Sequence, residues 1–179
     1  SGIDRSRQNS VNTAVLPGVI TVGVEIGNHT PSRTKAGAYR IAVTDAETSF
    51  QLVYFHARGD YLLRLLPPGS RRIVSGKVEQ FDGMAQMVHP DHTVSEDDAA
   101  EIPGFEPVYP LTAGVTQKTM AKASKAALTQ LPNLPEWIDP WQKAKHDWPD
   151  WAGALRQAHS PETMADLAAY SPARQRLAY

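Results

Sequence analysis

Two aromatic residues with an arginine between them are the side chains in this sequence best suited to do chemistry. In the stretch S-F-Q-L-V-Y-F-H-A-R-G-D-Y, residues 49–61, Phe55 is followed six positions later by Tyr61, with Arg58 between them. An aromatic face stacks on a nucleobase whatever its identity, and a guanidinium beside it attracts phosphate, so an exposed pair of this kind is a stacking platform for bases. If a neighbouring loop or helix covers Phe55, the same residues are ordinary packing. Exposure decides between the two readings.

Other reactive residue types are less well arranged. His89 and His92 flank Pro90 and Asp91, but a strand end interrupted by proline, with no third ligand nearby, suits a structural or capping role better than a metal centre. A metal-dependent enzyme built on His89, Asp91 and His92 is therefore the weaker alternative. His29, His56, His146 and His159 have no serine or acidic partner at the spacing of a catalytic triad. Asp45 and Glu47 fall on a hairpin turn, where acids are commonplace and a general acid/base pair is a weak idea. Neither G-x-x-x-x-G-K-[ST] nor G-x-G-x-x-G occurs, so the sequence offers no cradle for a nucleoside triphosphate or dinucleotide. Cysteine is absent, which excludes disulfides, thiolate metal sites and a cysteine nucleophile. No catalytic residue, metal ligand or cofactor is assigned to this chain.

The elements that must position Phe55 and Tyr61 follow from periodicity. Residues 49–55 alternate, with Phe50, Leu52 and Tyr54 on the inner face and Gln51, Val53 and Phe55 on the other. Before them, Ile20, Val22, Val24 and Ile26 define a first strand, and Tyr39, Ile41 and Val43 a second with Arg40 outward. The turn-rich segment between these strands carries Arg33 and Lys35 and predicts a projecting basic loop. Asp60 is placed to cap a short helix over Tyr61–Leu66, ended by Pro67, Pro68 and Gly69. R-I-V-S-G-K-V-E and M-A-Q-M-V complete the set as a hairpin around F-D-G. Five short strands with a helix between the third and fourth is the order of an OB-fold, a five-stranded Greek-key barrel. Residues 1–18 read as a leader and 19–94 as this barrel.

Residues 95–179 read as an acidic linker followed by a helical segment, making the whole mainly β with an α-helical C-terminal extension. Met120, Ala123, Ala127 and Leu131 predict an apolar stripe on one helix, with Lys118, Lys122 and Lys125 on the solvated side. A second helix starts behind Pro149 with Trp151, Leu155 and Ala158 buried, and Ser160-Pro161 and Ser171-Pro172 resemble helix starts. Trp137, Trp141, Trp148 and Trp151 crowd into this part, where packing between helices is their expected use. The last helix meets Tyr179 without a stop signal, as a piece of a longer protein would.

Charge is segregated. From Arg33 to Lys77 there are eight basic residues against three acids, and from Glu79 to Glu106 eight acids with no Lys or Arg, although the net charge is only −1. No apolar run reaches the ~18 residues of a membrane span, and the N-terminus lacks the apolar region of a signal peptide. A cytoplasmic protein with no membrane partner is expected.

Three segments, H-A-R-G-D-Y-L, M-V-H-P-D-H and P-V-Y-P-L-T-A-G-V-T-Q-K, resemble the RecG family of bacterial ATP-dependent DNA helicases, in its wedge domain and the segment joining that domain to the motor. The last two are specific in combination. The resemblance implies a wedge that binds branched DNA, namely stalled replication forks and Holliday junctions, and splits strands during fork reversal, DNA recombination and repair. Phe55 matches the family aromatic that stacks on unpaired bases, and Tyr61 its partner, with A-R-G lengthening the spacer. Arg33 and Lys35 match a basic loop, and with Arg40 and Arg58 they would hold DNA backbones without base specificity. The implied partner is the helicase motor of the same polypeptide, which would use ATP and Mg, with a nucleoid-associated location; single-stranded DNA-binding protein is a further contact suited to an OB surface. An OB-fold protein-interaction module that does not bind DNA by itself is the alternative.

Overall fold

The computed structural model describes residues 2–34 and 36–179, without the side chain of Thr13; Ser1 and Lys35 lie outside the described residues. In chain order the strands are β1 (Gly2–Asp4), β2 (Arg7–Gln8), β3 (Gly18–Thr30), β4 (Ala38–Thr44), β5 (Ser49–Phe55), β6 (Arg71–Phe81), β7 (Met84–Val88), β8 (His92–Val94) and β9 (Phe105–Pro107). The helices are α1 (Gly59–Leu65), α2 (Gln117–Leu128), α3 (Pro140–His146), α4 (Trp151–His159), α5 (Met164–Leu167) and α6 (Pro172–Ala178). They form two units, one of Arg5–Pro103 and one of residues 2–4 with Gly104–Tyr179.

The β unit is mainly one sheet in the order β2-β3-β4-β5-β7-β6-β8, in which β3 also pairs with β6. The double pairing of β3 bends the sheet into the OB-like barrel. Its first part, from Gly18 to Glu25, runs antiparallel to β6, and the part from Glu25 to Thr30 runs antiparallel to β4. Within the β4-paired part the register shifts between Ile26 and His29, a bulge that bends the strand there. The inward residues of the predicted strands, including Ile20, Val22, Ile41, Phe50 and Leu52, are buried in one core together with Val74, Val78 and Met87. Leu62 of α1 and Leu66, which caps it, are also buried there, each contributing about 1.5–3 kcal/mol by leaving water.

Several local expectations differ from the structure. The cap of α1 is Arg58, which makes no side-chain capping bond, and Asp60 instead sits inside the first turn, where a carboxylate favours the positive helix end. The segment before residue 19, expected as a leader, contributes to the β unit. Arg7 and Gln8 pair in parallel with Thr21 and Val22, and Val11 is buried in the core. Arg5, only 4% exposed, donates through Nη1 to Ser75 Oγ at 2.8 Å and through Nη2 to Asp91 at 3.0 Å. Side chains buried through hydrogen bonds carry no apolar period, so alternation does not reveal them. At the other end β8, antiparallel to β6, adds an unpredicted strand.

In the second unit β1 pairs with β9, placing Gly2 opposite Pro107 and Asp4 opposite Phe105. The half-buried side of α2 follows Ala121, Ser124 and Leu128 with Met120, while Ala123 and Ala127 are exposed; the buried stripe is rotated from the predicted one. Small residues such as Ala and Ser weigh little in an apolar pattern, which leaves its phase poorly determined. Lys118, Lys122 and Lys125 are exposed as expected. Ser171-Pro172 does begin α6, but Ser160 ends α4, and the next helix begins at Thr163 with a capping box to Asp166. Trp148 and Trp151 are half-buried, whereas Trp137 and Trp141 are exposed. Buried Arg176 pairs with Glu136 at 3.0 Å and lies over the Trp137 ring. Lys143, at 2.9 Å, and the backbone N–H groups of Ile138 and Trp137 hold the Glu136 carboxyl down at about 2.

Candidate nucleic-acid interface

Phe55 ends β5 on the strand's outer face, opposite the buried Phe50 and Leu52, and it is 42% exposed. Its backbone is held from both sides. Cα register places it against Ala38 of β4, and its N–H donates to Nε2 of His89 at 3.1 Å. Tyr61, 56% exposed, lies in the first turn of α1, where its N–H donates to the carbonyl of Arg58.

Both aromatics line one open concavity of about 470 Å³, together with Arg58, Arg64, His56, His89, Asp60 and the edge of Tyr54. The reading in which a loop or helix covers Phe55 is not what the β unit shows. Two arginines against one aspartate give the concavity a positive balance suited to phosphate. Burial pushes the Tyr54 phenol up to about 12, so beneath the platform it is a neutral hydroxyl.

A set of contacts fixes α1 relative to the strands. His29 Nε2 donates to the Leu66 carbonyl at 2.8 Å, because a carbonyl can only accept, and in the neutral ring Nδ1 then accepts from the Tyr39 hydroxyl at 2.9 Å. The end of α1 is thereby tied to β3 and β4. At its start, a Cβ on Gly59 would lie 3.3 Å from Tyr39 Cε2, so glycine permits the close approach of the helix to that ring. Burial, and then the nearby Asp60 charge, raise the Tyr39 phenol above its ordinary range.

Of the six residues singled out from the sequence, Phe55, Tyr61 and Arg58 come together in the concavity. Arg40 is exposed on β4, and its register opposite Val53 puts it on the same outer sheet face as Phe55 without lining the concavity. Arg33 is exposed in the 31–37 loop that leads into Ala38, at the Phe55 end of β5. Lys35 lies outside the described residues. Sequence reasoning missed Arg64, His56 and His89. Arg64 was within reach, since it stands one helical turn after Tyr61. His89 was not, because 34 residues separate it from Phe55.

Neither histidine of the M-V-H-P-D-H segment is presented as a metal ligand with Asp91. His89 accepts from Phe55, and Asp91 pairs with Arg5. Among the described residues no group of three or more His, Cys, Asp or Glu is placed to hold a metal. A second concavity of about 380 Å³, lined by Arg7, Glu25, Asp45, Arg71 and Glu96, carries mixed charge and no aromatic. Arg7 is already paired there with Glu96 at 2.9 Å. It offers neither stacking nor a net positive field. Among the described residues no helix is long and apolar enough to cross a membrane.

Residues 4–131 match the family model described as the RecG wedge domain. The chain is 23% identical over 172 residues to the ATP-dependent DNA helicase RecG of Aquifex aeolicus, covering 90% of this chain and 22% of that protein. It is 31% identical over 120 residues to the RecG of Bacillus subtilis, covering 66% of this chain and 17% of that protein. It thus spans about a fifth of the length of these relatives. A solved structure of RecG bound to a three-way DNA junction superposes with a TM-score of 0.72 at 24% identity, covering 99% of this chain and 24% of that one. That likeness extends the OB-like β architecture with C-terminal helices to a known fold.

Proposed function

This chain belongs to the RecG wedge-domain family, and from that premise we propose that it is a wedge for branched DNA, parting strands at a junction while a helicase motor on the same polypeptide moves the duplex arms. The observation that carries the reading is that Phe55 and Tyr61, both exposed, share one concavity with Arg58 and Arg64. A wedge must compensate the stacking that bases lose on separation, and an aromatic face returns about 1–3 kcal/mol per base without regard to sequence. Arginines alongside bind the diverging backbones, with Arg40 and Arg33 extending the contact along the outer sheet face and the loop. Such a surface recognises the shape of a branch.

Fork reversal, Holliday-junction processing, recombination and repair in the nucleoid are the roles this reading assigns. ATP and Mg belong on this account to the motor, and single-stranded DNA-binding protein is a further partner of the complete helicase. The resemblance to a RecG that binds a three-way junction supports branched DNA as the ligand.

The test is fluorescence anisotropy of the chain at low salt with a three-way fork, a plain duplex and a single strand, beside the double change Phe55→Ala, Tyr61→Ala. Preference for the fork that the double change removes is the expected result. Equal binding to all three, or fork preference untouched by the double change, overturns the proposal and favours a protein-interaction module.

A further inference from the structure

We infer that His89 is the positioning residue for Phe55: its ring nitrogen acts as a fixed hydrogen-bond acceptor that holds the end of β5, and with it the aromatic face, in the orientation that stacks on a base. The inference rests on the proposed role of Phe55 in base stacking and adds a residue to which no role in that stacking has been given.

The geometry is a two-point grip. His89 follows β7, and its own backbone N–H donates to the Val53 carbonyl at 2.9 Å, carrying the β5–β7 pairing one step past its last register pair, Val53 with Val88. Its side chain then turns back and Nε2 accepts the Phe55 N–H at 3.1 Å. The next outward-facing backbone group of β5 is thus satisfied by a side chain where the partner strand has ended. The ring also meets Tyr54 edge-on, with centroids 5.8 Å apart, and Phe55 at a tilt, with centroids 5.9 Å apart. His89 occupies the left-handed region at φ 46°, which L side chains rarely adopt. That backbone is retained at a residue whose ring touches the platform aromatic and lines the same concavity.

The chemistry dictates which nitrogen does this. A backbone N–H can only donate, so Nε2 presents its lone pair and the ring proton is on Nδ1. A replacement must therefore offer an acceptor at the same reach. Glutamine does, because its Oε1 is four bonds from Cα, as Nε2 is; leucine has comparable bulk and no acceptor. Both carry a similar cost from the left-handed backbone, so their difference isolates the hydrogen bond. The bond is exposed, and water can solvate the Phe55 N–H once the acceptor is gone. Losing it loosens the strand end without unfolding the barrel.

The experiment compares His89→Gln, His89→Leu, Phe55→Ala and the double change Phe55→Ala, His89→Leu in the whole chain. It measures fork affinity by anisotropy and exchange of the Phe55 amide by NMR. Expected are a three- to tenfold loss of fork affinity and faster Phe55 amide exchange in His89→Leu, near-parental values for both in His89→Gln, and no further loss of affinity when His89→Leu is added to Phe55→Ala. Parental affinity in His89→Leu while Phe55→Ala binds weakly overturns the inference alone, as does a fully additive double change. Parental affinity in Phe55→Ala overturns the stacking role on which it rests.

Discussion

Asp45 fastens the N-terminal segment to the barrel, and replacing it with alanine is expected to cost the β unit about 1–3 kcal/mol. Its carboxylate accepts from the N–H groups of Val11 at 2.8 Å, Glu47 at 2.9 Å and Thr48 at 2.8 Å, and from the Ser10 hydroxyl at 3.0 Å. Glu47 and Thr48 lie on a turn that water reaches, so their donors are largely rehydrated on truncation. Val11 is 2% exposed, and its N–H would stay buried without this acceptor at about 1–3 kcal/mol, while the Ser10 hydroxyl loses the carboxylate to which it donates. Burial alone would raise the Asp45 carboxyl, but the hydrogen bonds outweigh it and hold it below its ordinary range. The sign of the pH dependence follows. A carboxyl lowered by folding contributes stability that is fully present above its unfolded value of ~3.9 and is lost as pH falls through its folded value. Urea unfolding followed by far-UV circular dichroism should show Asp45→Ala clearly less stable at pH 7, with the gap narrowing as the pH falls below ~3.9. An unchanged midpoint at pH 7, or a gap of constant size into acid, would refute this account of how the N-terminal segment is held.

Two further predictions concern the interface. Removing Arg58 or Arg64, each to alanine, should reduce the dependence of log fork affinity on log salt by roughly 0.9 for each phosphate no longer neutralised, and anisotropy titrations across a salt series measure it. A slope unaltered when both are removed would mean that neither touches the backbone. Gly59→Val drives a branched side chain toward Tyr39, whose Cε2 lies 3.3 Å from the added Cβ. The change is expected to destabilise the β unit by about 1–3 kcal/mol in urea unfolding and to weaken fork binding by displacing Tyr61, and parental values for both contradict the fixed placement of α1.

The parts legible from the sequence are those in which apolar side chains repeat at the period of their element. Alternation at Ile20 to Ile26, Tyr39 to Val43 and Phe50 to Leu52 places the central strands and their inward faces, and it puts Phe55 outside. What escaped was held by polar or distant contacts. Arg5, Ser10 and Asp45 are buried through hydrogen bonds, so the segment carrying Arg5 and Ser10 resembles a polar leader. His89 reaches Phe55 only because β7 returns parallel to β5, a pairing that local spacing does not encode. The α2 stripe was misplaced because its alanines and serine differ too little in hydrophobicity to set a phase. Where spacing alone left two readings open, the resemblance to RecG implied that Phe55 and Tyr61 act as a pair.

The most direct measurement of the central claim is photocrosslinking of the chain to a three-way fork carrying 5-iododeoxyuridine at the branch point, with the adduct mapped by mass spectrometry. Stacking at the junction predicts adducts on Phe55 or Tyr61 with the iodobase at the branch, and none there when the same base is moved well into a duplex arm. Adducts confined to other residues, or equal yield from both positions, would contradict a wedge that reads the branch through this aromatic pair.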